Sequence, residues 1–138
     1  MPVTARSSTN FQVEISAGRH HFVAYEPLDV GDDAGPNPYD LLLSALGACT
    51  VMTLRMYALR EGIPLTGLEV SLSTRKIHAR DCEDCKSDPD ARVDIIQRHI
   101  KLQGDLTPDQ VASLSEIADR CPVHRTLTGE VKIRTEVT

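Results

Sequence analysis

One long apolar run, between Asn37 and Gly62, dominates the pattern of hydrophobic and polar positions along the chain. Asn37 can cap the first free amides of a helix, Pro38 suits its first position, and Asp40 stands where a capping box places an acid. Gly62 marks the end. Apolar residues over 41–54 leave almost no polar face. The pattern predicts a helix whose first half is buried on nearly every side.

The length of this helix predicts contact with something beyond a small core. At about 1.5 Å per residue it would run roughly 39 Å, which is longer than a small domain is wide. Ser44, Thr50 and Thr53 interrupt the apolar run and Arg55 follows. This leaves fewer than the ~18 uninterrupted apolar residues of a membrane span. We therefore predict a core helix with one end that projects or meets a partner.

Two segments with a two-residue period lie on either side of this helix. Apolar and polar residues alternate over 11–15, a turn follows, and a second apolar stretch predicts a hairpin over residues 10–26 with Arg19 near its tip. Residues 27–36 are predicted to form a surface loop. Beyond the helix, alternation leads into a strand that reaches His78. A second alternating segment over 93–102, with a possible bulge at Ile96, completes another hairpin.

The remaining pattern predicts two helices and a final strand. Thr107 caps one helix, and Cys121 followed by a proline opens a short one that Gly129 closes. Alternation over 131–137 predicts a C-terminal strand. The order β-β-α-β-β-α-α-β indicates an α+β fold with antiparallel hairpins, in a single domain spanning residues 1–138.

Composition and charge narrow the possible partners. The 138 residues are 41% hydrophobic and 25% charged, which is ordinary for a globular protein. A net charge of -5 argues against nucleic acid or an anionic membrane as partner. The first ten residues contain no apolar signal region, so we expect a cytoplasmic protein. Disulfides are rarely structural there, so four cysteines favour metal or redox chemistry.

Two of the cysteines lie in predicted helices. Cys49 falls in the buried half of the long helix, where a thiol usually behaves as a small hydrophobe, and a reactive Cys49 would need a cation from elsewhere. Cys121 is the predicted N-cap of the short helix, where free amides favour a thiolate, although it could also be an ordinary turn residue. His124 follows within the same turn and could contact the Cys121 sulfur.

The other two cysteines form the motif DCEDC in the polar segment between the strands of the second hairpin. Cys82 and Cys85, with His78 upstream, are candidate zinc or iron ligands, but a closed site would require a fourth ligand. A redox pair and an inert loop are equally allowed. The sequence leaves these three interpretations open.

Two stretches carry a family resemblance that covers nearly the whole chain. GPNPYDLLLSALGACT in the long helix and ADRCPVHRTL before the last strand resemble the OsmC/Ohr family, the organic hydroperoxide reductases and their osmotically inducible relatives. The resemblance implies antiparallel sheets around long central helices. It also implies an intertwined homodimer with two sites at the subunit interface.

The resemblance assigns roles to particular residues. It implies that Cys49 is the thiol that attacks a hydroperoxide and that Cys121 resolves the sulfenic acid into a Cys49–Cys121 disulfide. A dithiol, possibly on a lipoylated protein, would then reduce this disulfide, and no metal or nucleotide cofactor is expected. The family uses an arginine of the first hairpin to stabilise the thiolate, and Arg19 is the best match.

One departure from the family pattern leaves the function open. Tyr39 stands where the reductases carry a glutamate, and Asp40 lies one place later, about 100° around a helix. The first hypothesis is a peroxidase that acts on organic hydroperoxides. The second is a non-catalytic redox sensor, or a ligand- or metal-binding protein that uses the Cys82 and Cys85 loop. A hydrolase that relies on Cys121 and His124 is a distant third.

Overall fold

The computed structural model describes residues 2–7, 11–25 and 35–138. Their elements follow the order of three strands, a long helix, two strands and two helices. The α+β class predicted from the sequence is confirmed. The chain divides into two compact units, Met1–Ala45 and Leu46–Thr138, and each is described by itself. That a single domain spans 1–138 stays a prediction.

The first unit contains a three-stranded antiparallel sheet in the order β1-β2-β3. Its strands are β1 (Val3–Ser7), β2 (Val13–Ala17) and β3 (His20–Ala24). The hairpin predicted over 10–26 is confirmed as β2–β3, with Gly18 at a positive φ of 61° in its turn. β1 was not predicted because its five residues include only two apolar positions. Most of the loop predicted for 27–36 lies outside the described residues.

The long helix α1 spans Pro38–Glu61, and both of its ends form as predicted. The Asp40 amide donates to Asn37 Oδ1 at 2.8 Å, and the Asn37 amide donates to Asp40 Oδ2 at 3.0 Å. These two bonds make the predicted capping box. Gly62 follows with a φ of 66°, a conformation that suits glycine and ends the helix.

Only one side of α1 is buried in the single chain. The buried residues recur at the spacing of one helical stripe and are Leu46, Gly47, Thr50, Leu54 and Ala58. The prediction that the first half is buried on nearly every side is wrong, since Leu42 is 37% exposed and Ala48 is exposed. The reason is that one stripe of a helix packs against one neighbouring surface, and the opposite stripe is buried only when a second surface covers it.

The length and composition of α1 would also suit a membrane span. Its buried residues Leu54 and Ala58, however, belong to a hydrophobic cluster with Leu65, Leu114 and Ala118. These residues come from β4 and α2, described next. We therefore interpret α1 as a helix of the protein's own core.

The second unit is built on one long antiparallel hairpin. β4 (Leu65–His78) pairs with β5 (Arg92–Gly104) without interruption from Gly67 opposite Gln103 to the far end of the hairpin. The bulge expected at Ile96 is therefore wrong, and the one irregularity in this pairing lies between Leu65 and Gly67. Ile95 and Ile96 are both half-buried and point to opposite faces, because side chains alternate along a strand.

Two helices follow the hairpin, and both begin as predicted. They are α2 (Pro108–Ala118) and α3 (Pro122–Thr128). Thr107 caps α2 through a reciprocal pair of bonds with Gln110, at 3.1 and 2.9 Å. α2 then contributes Leu114 and Ala118 to the core.

The strand predicted over 131–137 is wrong for the single chain. Residues 130–138 form no strand, and the apolar side chains that carried the prediction are exposed, with Val131 at 55%, Ile133 at 88% and Val137 at 88%. A strand requires the backbone of a neighbouring strand for its hydrogen bonds. Within its own unit, this segment pairs with neither β4 nor β5.

Candidate functional site

The second unit brings two cysteines together that lie far apart in the sequence. Cys49 lies on α1 and Cys121 immediately precedes α3, and both are free thiols. The Cys49 side chain lies close enough to the Cys121 thiol to lower its pKa. The chain therefore places two thiols within reach of each other without a bond between them.

Consecutive backbone amides at the start of α3 point at the two sulfurs. The Val123 amide donates to Cys49 Sγ at 3.5 Å, and the His124 amide donates to Cys121 Sγ at 3.3 Å. Cys121 has the extended backbone of an N-cap, with φ -64° and ψ 140°. The predicted N-cap is confirmed. Backbone donors of this kind favour negative charge on the sulfurs that accept from them.

The two thiols differ in exposure. Cys121 is fully buried, with 0% of its surface exposed, whereas Cys49 is only partly buried. A molecule that approaches from solvent therefore meets Cys49 first. Cys121 has no surface that solvent can reach in this conformation.

Arg98 of β5 is the cation of this site. Its side chain is 12% exposed, and one terminal nitrogen donates to Thr50 Oγ1 at 3.1 Å and to the Ala118 carbonyl at 3.4 Å. The other contacts Asp119 Oδ1 at 2.9 Å and His124 Nδ1 at 3.2 Å. Partners on three helices thus fix the guanidinium.

The contacts of Arg98 also define the state of His124. A guanidinium only donates hydrogen bonds, so His124 Nδ1 accepts from Arg98. Asp119 Oδ1 lies 3.9 Å from the same ring nitrogen, and Arg98 bridges the two groups.

Thr50 connects Arg98 to the thiols. This residue is fully buried, and its hydroxyl donates to the Leu46 carbonyl at 2.7 Å. The same oxygen lies 4.0 Å from Cys121 Sγ. In α1, Thr50 directly follows Cys49, so one turn of helix supplies both a thiol and a polar group beside the second thiol.

These surroundings change the acidity of Cys121. Burial raises the pKa of its thiol, but the His124 amide, the side chains of Cys49 and Thr50, and the charge of Arg98 all lower it. The net result is a pKa below the ordinary value for cysteine. The sulfur that solvent cannot reach is thus the one whose anion the protein stabilises.

Arg98 was not predicted as a site residue. One signal could have found it, because over residues 96–102 Arg98 interrupts a face of β5 whose other members, Ile96, Ile100 and Leu102, are apolar. A charged residue inside an apolar period requires a buried partner. Arg19, the predicted arginine, lies exposed in the β2–β3 turn of the first unit, and its role stays a prediction.

A cavity of about 560 Å³ opens beside the site. Arg98 and His124 line it together with Asp84, Asp94 and Thr128. Its apolar walls are Leu46, Ile95, Ile96 and Leu127. A small organic molecule with one polar end would fit such a mixture of apolar wall and localised charge.

The motif DCEDC forms the tip of the β4–β5 hairpin and carries a disulfide between Cys82 and Cys85. Asp84 Oδ1 lies 3.3 Å from Cys82 Sγ. Among the described residues these three side chains form a group close enough to hold a metal ion, and His78 is not part of it. Of the three interpretations left open by the sequence, the redox pair is the one that uses a bond between these two sulfurs.

Comparisons with known proteins agree on one family. A family model described as OsmC-like protein matches residues 31–136. An OsmC-like protein from Mycoplasma pneumoniae has a TM-score of 0.73 at 19% identity, covering 93% of this chain and 86% of that one. No curated protein matches the chain.

Two further solved structures have the same fold. For an organic hydroperoxide resistance protein from Elizabethkingia anophelis the TM-score is 0.67 at 20% identity, over 92% of this chain and 86% of the other. For the organic hydroperoxide resistance protein OhrB of Bacillus subtilis it is 0.64 at 18% identity, over 93% and 90%. At these identities the likeness shows the fold alone.

Proposed function

Because the chain belongs to the OsmC-like protein family, we propose that it is a thiol-dependent peroxidase that reduces organic hydroperoxides to alcohols. One observation carries the proposal. Two free thiols lie side by side at the start of α3, near a fixed guanidinium, and only Cys49 is open to solvent. This arrangement suits a pair in which one thiol attacks and the other resolves.

The first step uses the proximity of the two thiols. Cys49 passes its proton to Cys121, and the Cys49 thiolate attacks the terminal oxygen of the hydroperoxide. The O–O bond breaks, Cys49 becomes a sulfenic acid, and the alkoxide takes the proton from Cys121 and leaves as the alcohol, so that Cys121 is again a thiolate. Arg98 stabilises the negative charge that the pair holds before attack.

The second step closes the pair. The Cys121 thiolate attacks the Cys49 sulfur, the sulfenic oxygen leaves as water, and a Cys49–Cys121 disulfide forms. The sum is one hydroperoxide and two thiols converted to one alcohol, one water and one disulfide. The stabilised anion of Cys121 suits this role, because a larger thiolate fraction speeds the attack.

The cavity beside the site indicates the substrate class. Leu46, Ile95, Ile96 and Leu127 provide apolar wall, so burial of an alkyl or aryl group adds binding energy that hydrogen peroxide cannot obtain. Arg98 and His124 lie at the polar end. We expect organic hydroperoxides to react faster than hydrogen peroxide.

Turnover requires a dithiol that reduces the oxidised protein. We propose a dithiol of the lipoyl class, free or carried on a protein, acting in the cytoplasm, where such reductants are kept reduced. No metal or nucleotide takes part in this cycle.

The activity can be tested directly. With dihydrolipoamide as reductant, the protein is expected to consume cumene hydroperoxide continuously and to release cumyl alcohol. The measurement is loss of peroxide and appearance of alcohol by chromatography, with hydrogen peroxide as the comparison substrate. If the protein consumed no more cumene hydroperoxide than a heat-denatured sample, the proposed function would be wrong.

We also propose that the working form is a homodimer. The face of α1 opposite the core carries an apolar stripe formed by Met52, Met56 and Leu59, which are 64%, 71% and 82% exposed. A stripe of this size at helical spacing is typical of an interface. Pro122, next to Cys121, lines the same groove as Met56, so a partner chain would lie near the thiol pair.

Charge on this stripe is expected to separate the subunits. In Met56→Lys/Leu59→Lys, two ammonium groups would be buried in the interface, and dimerisation is expected to weaken by at least about 100-fold. Sedimentation velocity measures the change. The control, Ala112→Lys/Ser115→Lys, adds the same charge to exposed positions of α2 and should stay dimeric. A wild type that is monomeric at high concentration would contradict the proposal.

One observation favours a second candidate function. Cys82 and Cys85 are joined while Cys49 and Cys121 are free, which is what a redox sensor built on the hairpin loop would show. A sensor would be oxidised by peroxide without sustained consumption in the presence of a dithiol. The assay above therefore distinguishes the two functions.

A further inference from the structure

The hairpin tip and the residues that contact the thiol pair line one cavity. Asp84, which lies between Cys82 and Cys85 in the chain, lines the cavity of about 560 Å³ together with Arg98 and His124. Asp84 also contacts Cys82 Sγ at 3.3 Å, and the His124 amide donates to Cys121 Sγ. The loop pair therefore adjoins, at its rim, a cavity whose other wall carries two neighbours of Cys121.

The anchoring of the loop leaves its tip at this rim. Backbone hydrogen bonds join the two sides of the loop at its base, from Ala79 to Ala91 and from Arg80 to Pro89, at 2.8 and 3.2 Å. Arg80 and Asp90 add an ion pair at the same level. These bonds lie before and after the DCEDC turn, so the turn extends beyond the fixed base of the hairpin.

The charges around the two pairs differ in sign. Cys82 and Cys85 stand among Asp81, Glu83 and Asp84, whose carboxylates repel a thiolate and so favour the disulfide over its reduced form. Cys121 lies near Arg98 and accepts from the His124 amide, and both favour its thiolate and hence the reduced form of its pair. Stabilising the reduced form makes a pair the stronger oxidant.

From the cavity that Asp84 lines with Arg98 and His124, and from these opposite charges, we infer that Cys82 and Cys85 form an internal dithiol that reduces the Cys49–Cys121 disulfide. The inference rests on the proposed function, which generates that disulfide. Electrons then run from an external dithiol to the loop pair, and from the loop pair to the buried pair.

The transfer is a thiol–disulfide exchange between the two pairs. A thiolate of the loop pair attacks Cys49 Sγ, the more accessible sulfur, and Cys121 leaves as a thiolate held by the His124 amide. The second loop thiol then attacks the mixed disulfide, and Cys49 leaves and takes a proton. Two electrons move, the Cys82–Cys85 bond forms and the Cys49–Cys121 bond breaks. An external dithiol reduces the half-buried loop disulfide and completes the cycle.

The loop accommodates the bond that such a transfer would form. Cys82 and Cys85 are joined by a disulfide, with their Cα atoms 5.5 Å apart. A structural disulfide would be unusual in a reducing cytoplasm, whereas a pair that cycles is expected there.

Peroxide titration of the fully reduced protein, without external reductant, tests the inference. Wild type is expected to consume about two equivalents of cumene hydroperoxide, the first appearing as Cys82–Cys85 and the second as Cys49–Cys121. Cys82→Ser/Cys85→Ser should consume about one equivalent and stop at Cys49–Cys121. Peptide mapping by mass spectrometry after rapid alkylation assigns each bond.

Two controls distinguish the possible failures. In Cys49→Ser the loop pair should stay reduced on the same time scale, and its oxidation at the wild-type rate would mean direct attack by peroxide and would overturn the relay. The transfer rate should not depend on protein concentration, since a dependence would mean exchange between separate molecules. If wild type stopped at Cys49–Cys121 after one equivalent, the relay would be wrong and the peroxidase proposal would stand. If Cys49 were never oxidised, the proposed function itself would fail.

Discussion

Replacing Cys49 by Ser is expected to lower the rate of hydroperoxide consumption by at least about 1000-fold, because a serine hydroxyl does not ionise at neutral pH and cannot replace the thiolate as nucleophile. The fold should be unchanged, since Ser is close to Cys in size and the site is partly open. The measurement is steady-state consumption of cumene hydroperoxide with dihydrolipoamide, with circular dichroism as the check on folding.

Cys121→Ser is the matched control on the same pair. This variant keeps the accessible thiol but lacks the thiol that resolves it, so one equivalent of peroxide should still react and a sulfenic acid should persist on Cys49. Trapping with dimedone and mass spectrometry detects that acid. Equal steady-state activity in Cys49→Ser and wild type would contradict the assignment of the attacking thiol.

Removal of the Arg98 side chain is expected to have the second-largest effect. Arg98 holds Thr50, His124 and Asp119 by charge-assisted hydrogen bonds and lowers the pKa of Cys121. A charge-assisted bond contributes about 1.5–3 kcal/mol. Arg98→Ala should therefore slow the reaction with peroxide by about 10- to 100-fold.

The pH profile tests the reason for this loss. Without the guanidinium the pKa of Cys121 rises toward its ordinary value, so less of the pair is anionic at neutral pH. The activity of Arg98→Ala should recover as the pH rises, and the midpoint of its profile should lie above that of wild type. Thiolate absorbance in the ultraviolet measures the same shift without turnover.

Two variants control the Arg98 experiment. Arg98→Lys keeps the charge but cannot bridge the same partners, and is expected to retain the thiolate and lose part of the rate. Arg92→Ala removes an exposed arginine from the other end of β5 and should behave as wild type. An Arg98→Ala profile that coincides with that of wild type would show that the cation has no part in the chemistry.

Local signals in the sequence predicted most of the elements. The capping box of Asn37 and Asp40, the N-cap at Cys121 and the alternation of β4 and β5 involve neighbours within four residues or a simple period, and all of them form. Such signals act through the backbone of the same segment. The sequence is sufficient to predict them for that reason.

Predictions that depended on distant partners were less successful. The segment at Val131 and Ile133 has the alternating pattern of a strand. A strand forms only against the edge of another strand, and no strand of the same unit pairs with this segment. The prediction that the first half of α1 is buried on nearly every side was wrong for the same reason. Both segments have the composition of a buried surface that the single chain does not bury.

The residues of the candidate site divide in the same way, into those with a local sequence signal and those that depend on distant partners. Cys49 and Cys121 were predicted from family motifs, and the fold brings both to the start of α3. Arg98 was not selected, because its importance follows from what α1, α2 and α3 place around it. The meeting of Asp84 with this site at one cavity is likewise a property of the hairpin's geometry.

Disulfide mapping is the most direct experiment on whether Cys49 and Cys121 react as one pair. Reduced Cys82→Ser/Cys85→Ser protein, which has no competing thiols, is treated with one equivalent of cumene hydroperoxide and digested for mass spectrometry. If the two thiols act as a pair, we expect a single crosslinked species that joins the peptides of Cys49 and Cys121, with one cumyl alcohol released per chain. Recovery of both peptides as free thiols, or of Cys49 oxidised to sulfinic acid beside unmodified Cys121, would contradict it.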